Sequence, residues 1–459
     1  MAIFKIHGPG RVNGRVSLPG DKSIAHRLVI LSCLSENSTT INNFPFNDDC
    51  VSTARAFKSL GVELTFDSSQ SRLKIKGKGL NGLKKPRMPI FVGESGTTLR
   101  LLLGVLAGQD FQVKLTCAES LSQRPMLRVT LPLRKMGAEI TCRKNNQGEE
   151  YLPITIQGGE LFPITYKMRV ASAQVKSAIL LAGLYAKGLT QVIEPVKTRD
   201  HTERLLKAFG AEIKIQSGRV FVKGGKGLVS PKFISVPGDI SSAAFFMVLA
   251  AITAGSRIIL KNVSLNPSRM GVIRVLKRMG ASIKVSSSQL PVARFEPMGD
   301  IEVRSGNLKG VIIKKEEIPS LIDELPVLMV AACCARGKSR FESVGELRVK
   351  ETDRIKSMSE NLKKMGADIQ VTSYQLPVPS SQSPVPSLQL PVARREDIVI
   401  RPVDSLKGAD VKSFGDHRTA MSMIVAGLSA QGITTIDDIR CISKSFPGFI
   451  KVLKSIIQK

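Results

Sequence analysis

The 459-residue sequence predicts an α/β (α+β) protein built from six similar modules grouped into two domains. Three observations carry that expectation. A basic amphipathic phrase ending in glycine occurs five times: FKSLGVEL from Phe57, LRKMGAEI from Leu133, LKAFGAEI from Leu206, LKRMGASI from Leu276 and LKKMGADI from Leu362. A second phrase, a Gly/Ser/Asp-rich turn followed by a small-residue apolar helix, interleaves with it six times. Finally, 42% hydrophobic residues suffice for ordinary packed cores in a chain of this length.

The first unit opens on PGDKSIAHRLVILSCL from Pro19, with Asp21 at the N-cap of an apolar helix. FKSLG then closes a covering helix on Gly61, a residue suited to the left-handed C-cap, and VEL begins a strand. The same order runs through GESGTTLRLLLGVLAG to Gly137 and ASAQVKSAILLAGLYAKG to Gly210. PGDISSAAFFMVLAAITAG leads likewise to Gly280, and IDELPVLMVAACCARG to Gly366. The sixth unit, GDHRTAMSMIVAGLSAQG, is followed by FIKVLKSII, which reads as a sixth covering helix. Units of roughly 75 residues exceed the usual solenoid repeat and point to supersecondary modules. The Ala- and Gly-rich helices should be buried, with the amphipathic LKxMG helices laid over them. Two segments interrupt the repeat, SSSQLPVARFEPMGD from Ser286 and TSYQLPVPSSQSPVPSLQLPVARRED from Thr372. Both contain QLPVAR, and their Pro/Ser/Gln bias predicts hairpin insertions without catalytic work.

The chain carries 67 Lys and Arg against 38 Asp and Glu, a net +29. That balance suits nucleic acid, an anionic membrane surface or small anionic substrates. Nucleic-acid binding is disfavoured by the even spread of the basic residues, by 5% aromatics and by the absence of Trp. The longest apolar runs, near AAFFMVLAAI, fall short of the ~18 residues a membrane span needs. MAIFKIHGPGRVNG lacks a signal-peptide h-region, so a cytoplasmic protein is expected. The seven cysteines include no CxxC pair and several sit in apolar runs, which predicts buried reduced thiols. Four scattered histidines give no support to a metal site. Lys22 and Arg27 stand at a helix start, where the dipole disfavours cations. If the buried helices run parallel, their N-termini converge and form a shared trap for anions, which explains a lysine there.

Further basic residues stand beside acid-base groups in SQRPM, around Arg124, and in ELRVKETDRI, around Lys350, Glu351 and Arg354. GDHR holds Asp416, His417 and Arg418, and SKSFPG holds Lys444. Taken in order with LPGDKSIAHR, SAQVKSA and LIDELP, these motifs resemble the EPSP synthase family of enolpyruvyl transferases over nearly the full chain.

The resemblance implies the enolpyruvyl transferase fold: two domains, each of three βαβαββ-like repeats, closing on substrate. On this chain they would comprise residues 21–237, and residues 1–20 with 238–459. It implies transfer of the enolpyruvyl group of phosphoenolpyruvate to the 5-hydroxyl of shikimate 3-phosphate, by addition and then loss of phosphate. No metal, no organic cofactor and no macromolecular partner is implied, and the enzyme is expected to act as a monomer. By motif, Lys22, Ser23, Arg27, Ser172, Ala173, Gln174, Arg199, Asp323 and Lys350 would hold shikimate 3-phosphate. Phosphoenolpyruvate would meet Lys22, Gly96, Arg124, Gln174, Arg354, Arg418 and Lys444. Asp323 would accept the hydroxyl proton with help from Lys22, and Glu351 would move a proton at C3. His417 would orient a partner. The chain departs from many members at Glu94, where an amide is usual, at Ala173 in place of serine, and at Leu101 in place of proline. A carboxylate at Glu94 would repel an anion unless Arg124 or Arg100 pairs with it.

Two other functions compete. The transferase acting on UDP-N-acetylglucosamine shares fold and donor, but its loop cysteine falls here on Glu119, with Cys117 two residues away. A nucleic-acid-processing protein built from related repeats would use the net charge directly.

Overall fold

The computed structural model describes residues 3–287, 295–374 and 395–458. The two QLPVAR stretches, 289–294 and 389–394, lie outside the described residues.

Local chemistry sets the repeat. Gly61, Gly137, Gly210, Gly280 and Gly366 all take positive φ, between 81° and 113°, ending their helices in the left-handed conformation that side chains resist. The covering helices Asp48–Ser59, Leu127–Lys135, Gly271–Arg278 and Arg354–Lys364 carry Lys or Arg in the last turn, complementing the dipole. The apolar helices are Lys22–Cys33, Gly96–Leu106, Ala173–Gly183, Ile240–Ile252, Leu325–Cys333 and His417–Ser429. Asp21, Ser95, Ser172, Asp239 and Asp416 cap five of them by accepting first-turn N–H groups. Leu325–Cys333 has no side-chain cap and starts instead on Pro326, which needs no N–H partner.

Each unit contributes one sheet, giving six among the described residues. In the first, Phe233–Ser235 runs parallel to Ser38–Asn42, followed by Arg72–Lys76 and Glu63–Asp67 in antiparallel register. The same parallel-then-antiparallel order recurs from Ile90–Phe91 to Glu139–Lys144 and from Thr165–Lys167 to Glu212–Gln216. Two sheets borrow strands from the start of the chain. Arg11–Ser17 runs parallel to Arg257–Ser264, and Phe4–Gly8 pairs antiparallel with Gly432–Ile436, setting Phe4 opposite Ile436.

Two apolar cores result. One joins residues from Ile24 to Val236; the other joins Ile6, Val12, Val16 and Leu18 to residues from Ile240 to Ile456. The three buried helices of each half pack on one another. Helices Gly96–Leu106 and Ala173–Gly183 meet so closely that a Cβ on Gly104 would stand 2.3 Å from the Ala178 carbonyl oxygen. The chain passes between the halves twice at one place, where Gly20 and Gly238 form a bridge. The fold therefore follows the two-domain, six-module expectation, with the helix starts of both halves facing one cleft.

Candidate functional site

Side chains from the helix starts and neighbouring turns of both halves meet across that cleft. None of the residues expected to touch substrate or move protons is exposed. Asp323, in the turn before Leu325–Cys333, is the centre of one cluster. Arg199 of the opposite half donates to its Oδ2, Arg354 Nη1 lies 3.4 Å and Arg418 Nε 3.6 Å from its Oδ1, and Arg418 also donates to its carbonyl. Burial opposes ionisation of Asp323, but Arg418, Arg199 and Arg354 outweigh it and hold the carboxyl well below its usual range.

Glu351 is the centre of the second cluster. Arg354 Nη2 donates to its Oε2, and Arg124 Nη2 reaches across from the other half to 3.6 Å from Oε1. Burial again disfavours the charge, and Arg354, Arg124 and Lys22 reverse the balance, holding the Glu351 carboxyl well below its usual range. Arg354 also binds Asp416 at 2.9 Å, which fixes its guanidinium between the two catalytic candidates. His417 is buried and neutral, its pKa lowered well below the ordinary value by burial and by Lys22 and Arg418. Neither of its ring nitrogens, nor Nε and Nη2 of Arg124, has a hydrogen-bond partner among the described residues. A cavity of about 110 Å³ lies between Arg124, Glu351, His417 and Lys444.

Gly96 opens the helix beside this cavity, and a Cβ there would stand 2.9 Å from Arg100 Nη1 and 3.1 Å from Arg124 Nη1. Gln174 accepts from Arg100 at 2.7 Å and donates to Thr97 at 2.8 Å, tying two helix starts together. Ala173 is the first residue of its helix and Ser172 the cap. Arg27 spends its donors on Thr202, Ser177 and the Ser23 carbonyl, at 2.6 to 2.8 Å. Lys350 lies 3.5 Å from Glu346, and burial lowers its pKa despite Glu346 and Asp323.

The structure changes two expectations. Lys22 has an internal counter-ion, Asp49 at 2.9 Å, so its place at a helix start does not depend on a bound anion. Burial works against its charge, but Asp49 and Glu351 raise its pKa. The partner of Glu94 is neither Arg124 nor Arg100 but Lys444, from the opposite half, with Ser120 donating to the same carboxylate at 2.9 Å. Arg100 is turned to Gln174 instead. Sequence reasoning also missed Asp49, which sits in the first turn of its covering helix like an ordinary dipole-complementing acid, and Glu346, which opens the ELRVKETDRI motif but was given no role. The cysteines are free as expected, though Cys334 is exposed.

A profile of the family described as EPSP synthase (3-phosphoshikimate 1-carboxyvinyltransferase) matches residues 6–453. The chain is 45% identical over 447 residues to the 3-phosphoshikimate 1-carboxyvinyltransferase of Desulforamulus reducens, with 97% of each chain covered. It is 44% identical over the full length of both chains to the protein of that name from Geobacter sp.. Among solved structures, EPSP synthase from Acinetobacter baumannii superposes with a TM-score of 0.82 at 39% identity, covering 99% of this chain and 97% of that one. The enolpyruvyl transferase NikO from Streptomyces tendae, at 15% identity and a TM-score of 0.76, shares the fold, covering 99% of this chain and 97% of its own.

Proposed function

The chain belongs to the EPSP synthase family, and from that premise we propose how its cleft performs the family's reaction. The enzyme transfers the enolpyruvyl group of phosphoenolpyruvate to the 5-hydroxyl of shikimate 3-phosphate, releasing phosphate, in the shikimate pathway.

Phosphoenolpyruvate binds in the cavity beside Gly96, against Arg124, Arg354, Arg418, Lys444 and Lys22, with Gln174 at its edge. The observation that carries this reading is the set of buried donors without hydrogen-bond partners, Arg124 Nε and Nη2, pointing to an anion of matching geometry. Shikimate 3-phosphate lies along Ser23, Arg27, Ser172, Ala173, Gln174, Arg199 and Lys350, with its 5-hydroxyl at Asp323 and Lys22.

In the addition step the hydroxyl oxygen bonds to C2, its proton passes to Asp323, and C3 takes a proton from Glu351. In the elimination step the new methyl returns a proton to Glu351 as the C2–O bond to phosphate breaks, and the departing phosphate takes up the proton held by Asp323, leaving the enol ether, free phosphate and an ionised Asp323. An ionised Glu351 has no proton to give. Substrate oxygens that occupy Arg124 and Arg354 neutralise the charges that keep Glu351 ionised, and burial then raises its pKa towards that of a donor. Substrate binding thus arms its own acid.

The separate apolar cores support residues 21–237, and 1–20 with 238–459, as the domains that close on substrate. Both walls of the cleft come from one chain, which favours a monomer. The highly charged substrates do not cross membranes unaided, which favours the cytoplasm. Phosphate release from phosphoenolpyruvate tests the assignment: it should require shikimate 3-phosphate, and equal release with UDP-N-acetylglucosamine would overturn the reading.

A further inference from the structure

Several cations of the cleft reach a carboxylate of the opposite half. Arg199 meets Asp323, Arg124 approaches Glu351, and a further one is Lys444. Its ammonium donates to the Gly415 carbonyl at 3.0 Å and then reaches across to the Glu94 carboxylate of the opposite half. Glu94 lies in the turn before Gly96–Leu106, and Ser120 steadies its other oxygen at 2.9 Å. The pair is partly shielded, with 20% of the Lys444 and 31% of the Glu94 side chain exposed, and both line the 110 Å³ cavity. A carboxylate oxygen therefore already sits on a cation that faces the space assigned to a carboxylate- and phosphate-bearing ligand.

We propose that Glu94 is an internal competitor for phosphoenolpyruvate: its carboxylate occupies Lys444 across the cleft, draws the halves together without substrate, and yields Lys444 when substrate binds. The proposal rests on the placement of phosphoenolpyruvate between Arg124 and Lys444. Two costs act together against the ligand. The Glu94–Lys444 pair must be broken, and the released carboxylate remains beside a multiply charged anion. Glu94 thereby sets the affinity for the donor substrate, while shikimate 3-phosphate, held further along the cleft, does not meet it.

Glu94→Gln keeps the shape and the Ser120 contact but removes the charge, and the partial exposure of the site leaves folding intact, which thermal unfolding checks. The KM for phosphoenolpyruvate should fall about tenfold, equivalent to about 1.4 kcal/mol. The KM for shikimate 3-phosphate should stay within about twofold. Without substrates, the variant should show a larger radius of gyration by X-ray scattering than the parent protein, because one of the ion pairs that span the cleft, beside Arg199–Asp323 and Arg124–Glu351, is gone. An unchanged or raised KM for phosphoenolpyruvate overturns the proposal, and so does an unchanged radius of gyration. Failure of the parent protein to release phosphate with both substrates would instead overturn the placement on which the proposal rests.

Discussion

Glu351 and Asp323 are both carboxylates held ionised by arginines, yet the proposed mechanism sets them at opposite ends of the proton path, so their substitutions should separate. Glu351→Gln preserves shape and removes the proton at C3; kcat should fall by roughly 10² to 10⁴ with little change in either KM. Asp323→Ala removes both a proton acceptor and the anchor of Arg199, Arg354 and Arg418, so kcat should fall while the KM for shikimate 3-phosphate rises. Steady-state kinetics with each substrate varied in turn distinguishes the two patterns, and a Glu351→Gln enzyme with near-parental kcat would remove that residue from the mechanism. At Gly96 an added methyl would push on the Arg100 and Arg124 guanidinium groups. Gly96→Ala should raise the KM for phosphoenolpyruvate several-fold while leaving that for shikimate 3-phosphate within about twofold; equal changes in both would place Gly96 away from the phosphoenolpyruvate contact. At this scale the sequence displayed the cations and carboxylates because their motifs are contiguous. It did not display Asp49 beside Lys22 or Lys444 beside Glu94, because pairings between distant segments leave no spacing to read.

Among the helices, the start of Ile240–Ile252 carries a buried like-charge neighbour at its cap. Its cap Asp239 is buried at the crossing between the halves, and burial together with nearby Asp21 pushes its carboxyl up to about 6. A carboxyl that holds its proton more tightly in the folded state costs stability as pH rises from about 4 to about 6, and the cost persists above that. Asp239→Asn keeps an oxygen for the Ser241 N–H and should therefore stabilise the protein at pH 8 by up to about 3 kcal/mol, yet unfold with the parent near pH 4. Denaturant melts at the two pH values check this; equal effects at both would show that the charge is not the cause. Gly104 offers a steric counterpart. Gly104→Ala forces the Cβ into the Ala178 carbonyl and should destabilise the first half by about 1–3 kcal/mol or more. Helices, caps and C-terminal glycines were legible because each is written in a few adjacent residues. The loan of the first two strands to the second half came only with the family resemblance, because the pairing of Phe4 with Ile436 spans almost the whole chain and leaves no local signal.

The whole molecule carries +29 while its substrates are anions, so association is steered by a field that salt screens. The kcat/KM for phosphoenolpyruvate should fall several-fold as ionic strength rises from about 0.02 to about 0.3 M, with kcat changing far less. An ionic-strength-independent kcat/KM would confine the charge to solubility. The two strands of residues 4–17 that complete the second half also impose an order of assembly. On the ribosome they are made early, whereas Arg257–Ser264, the partner of Arg11–Ser17, follows only midway and Gly432–Ile436, the partner of Phe4–Gly8, only near the end of the chain. Residues 21–237 can collapse onto their own core while Phe4–Gly8 waits, for about 20–80 s at ordinary elongation rates, until Gly432–Ile436 emerges. Throughout that interval Phe4–Gly8 stays without its partner strand, so the step most exposed to misassembly is the late capture of that strand.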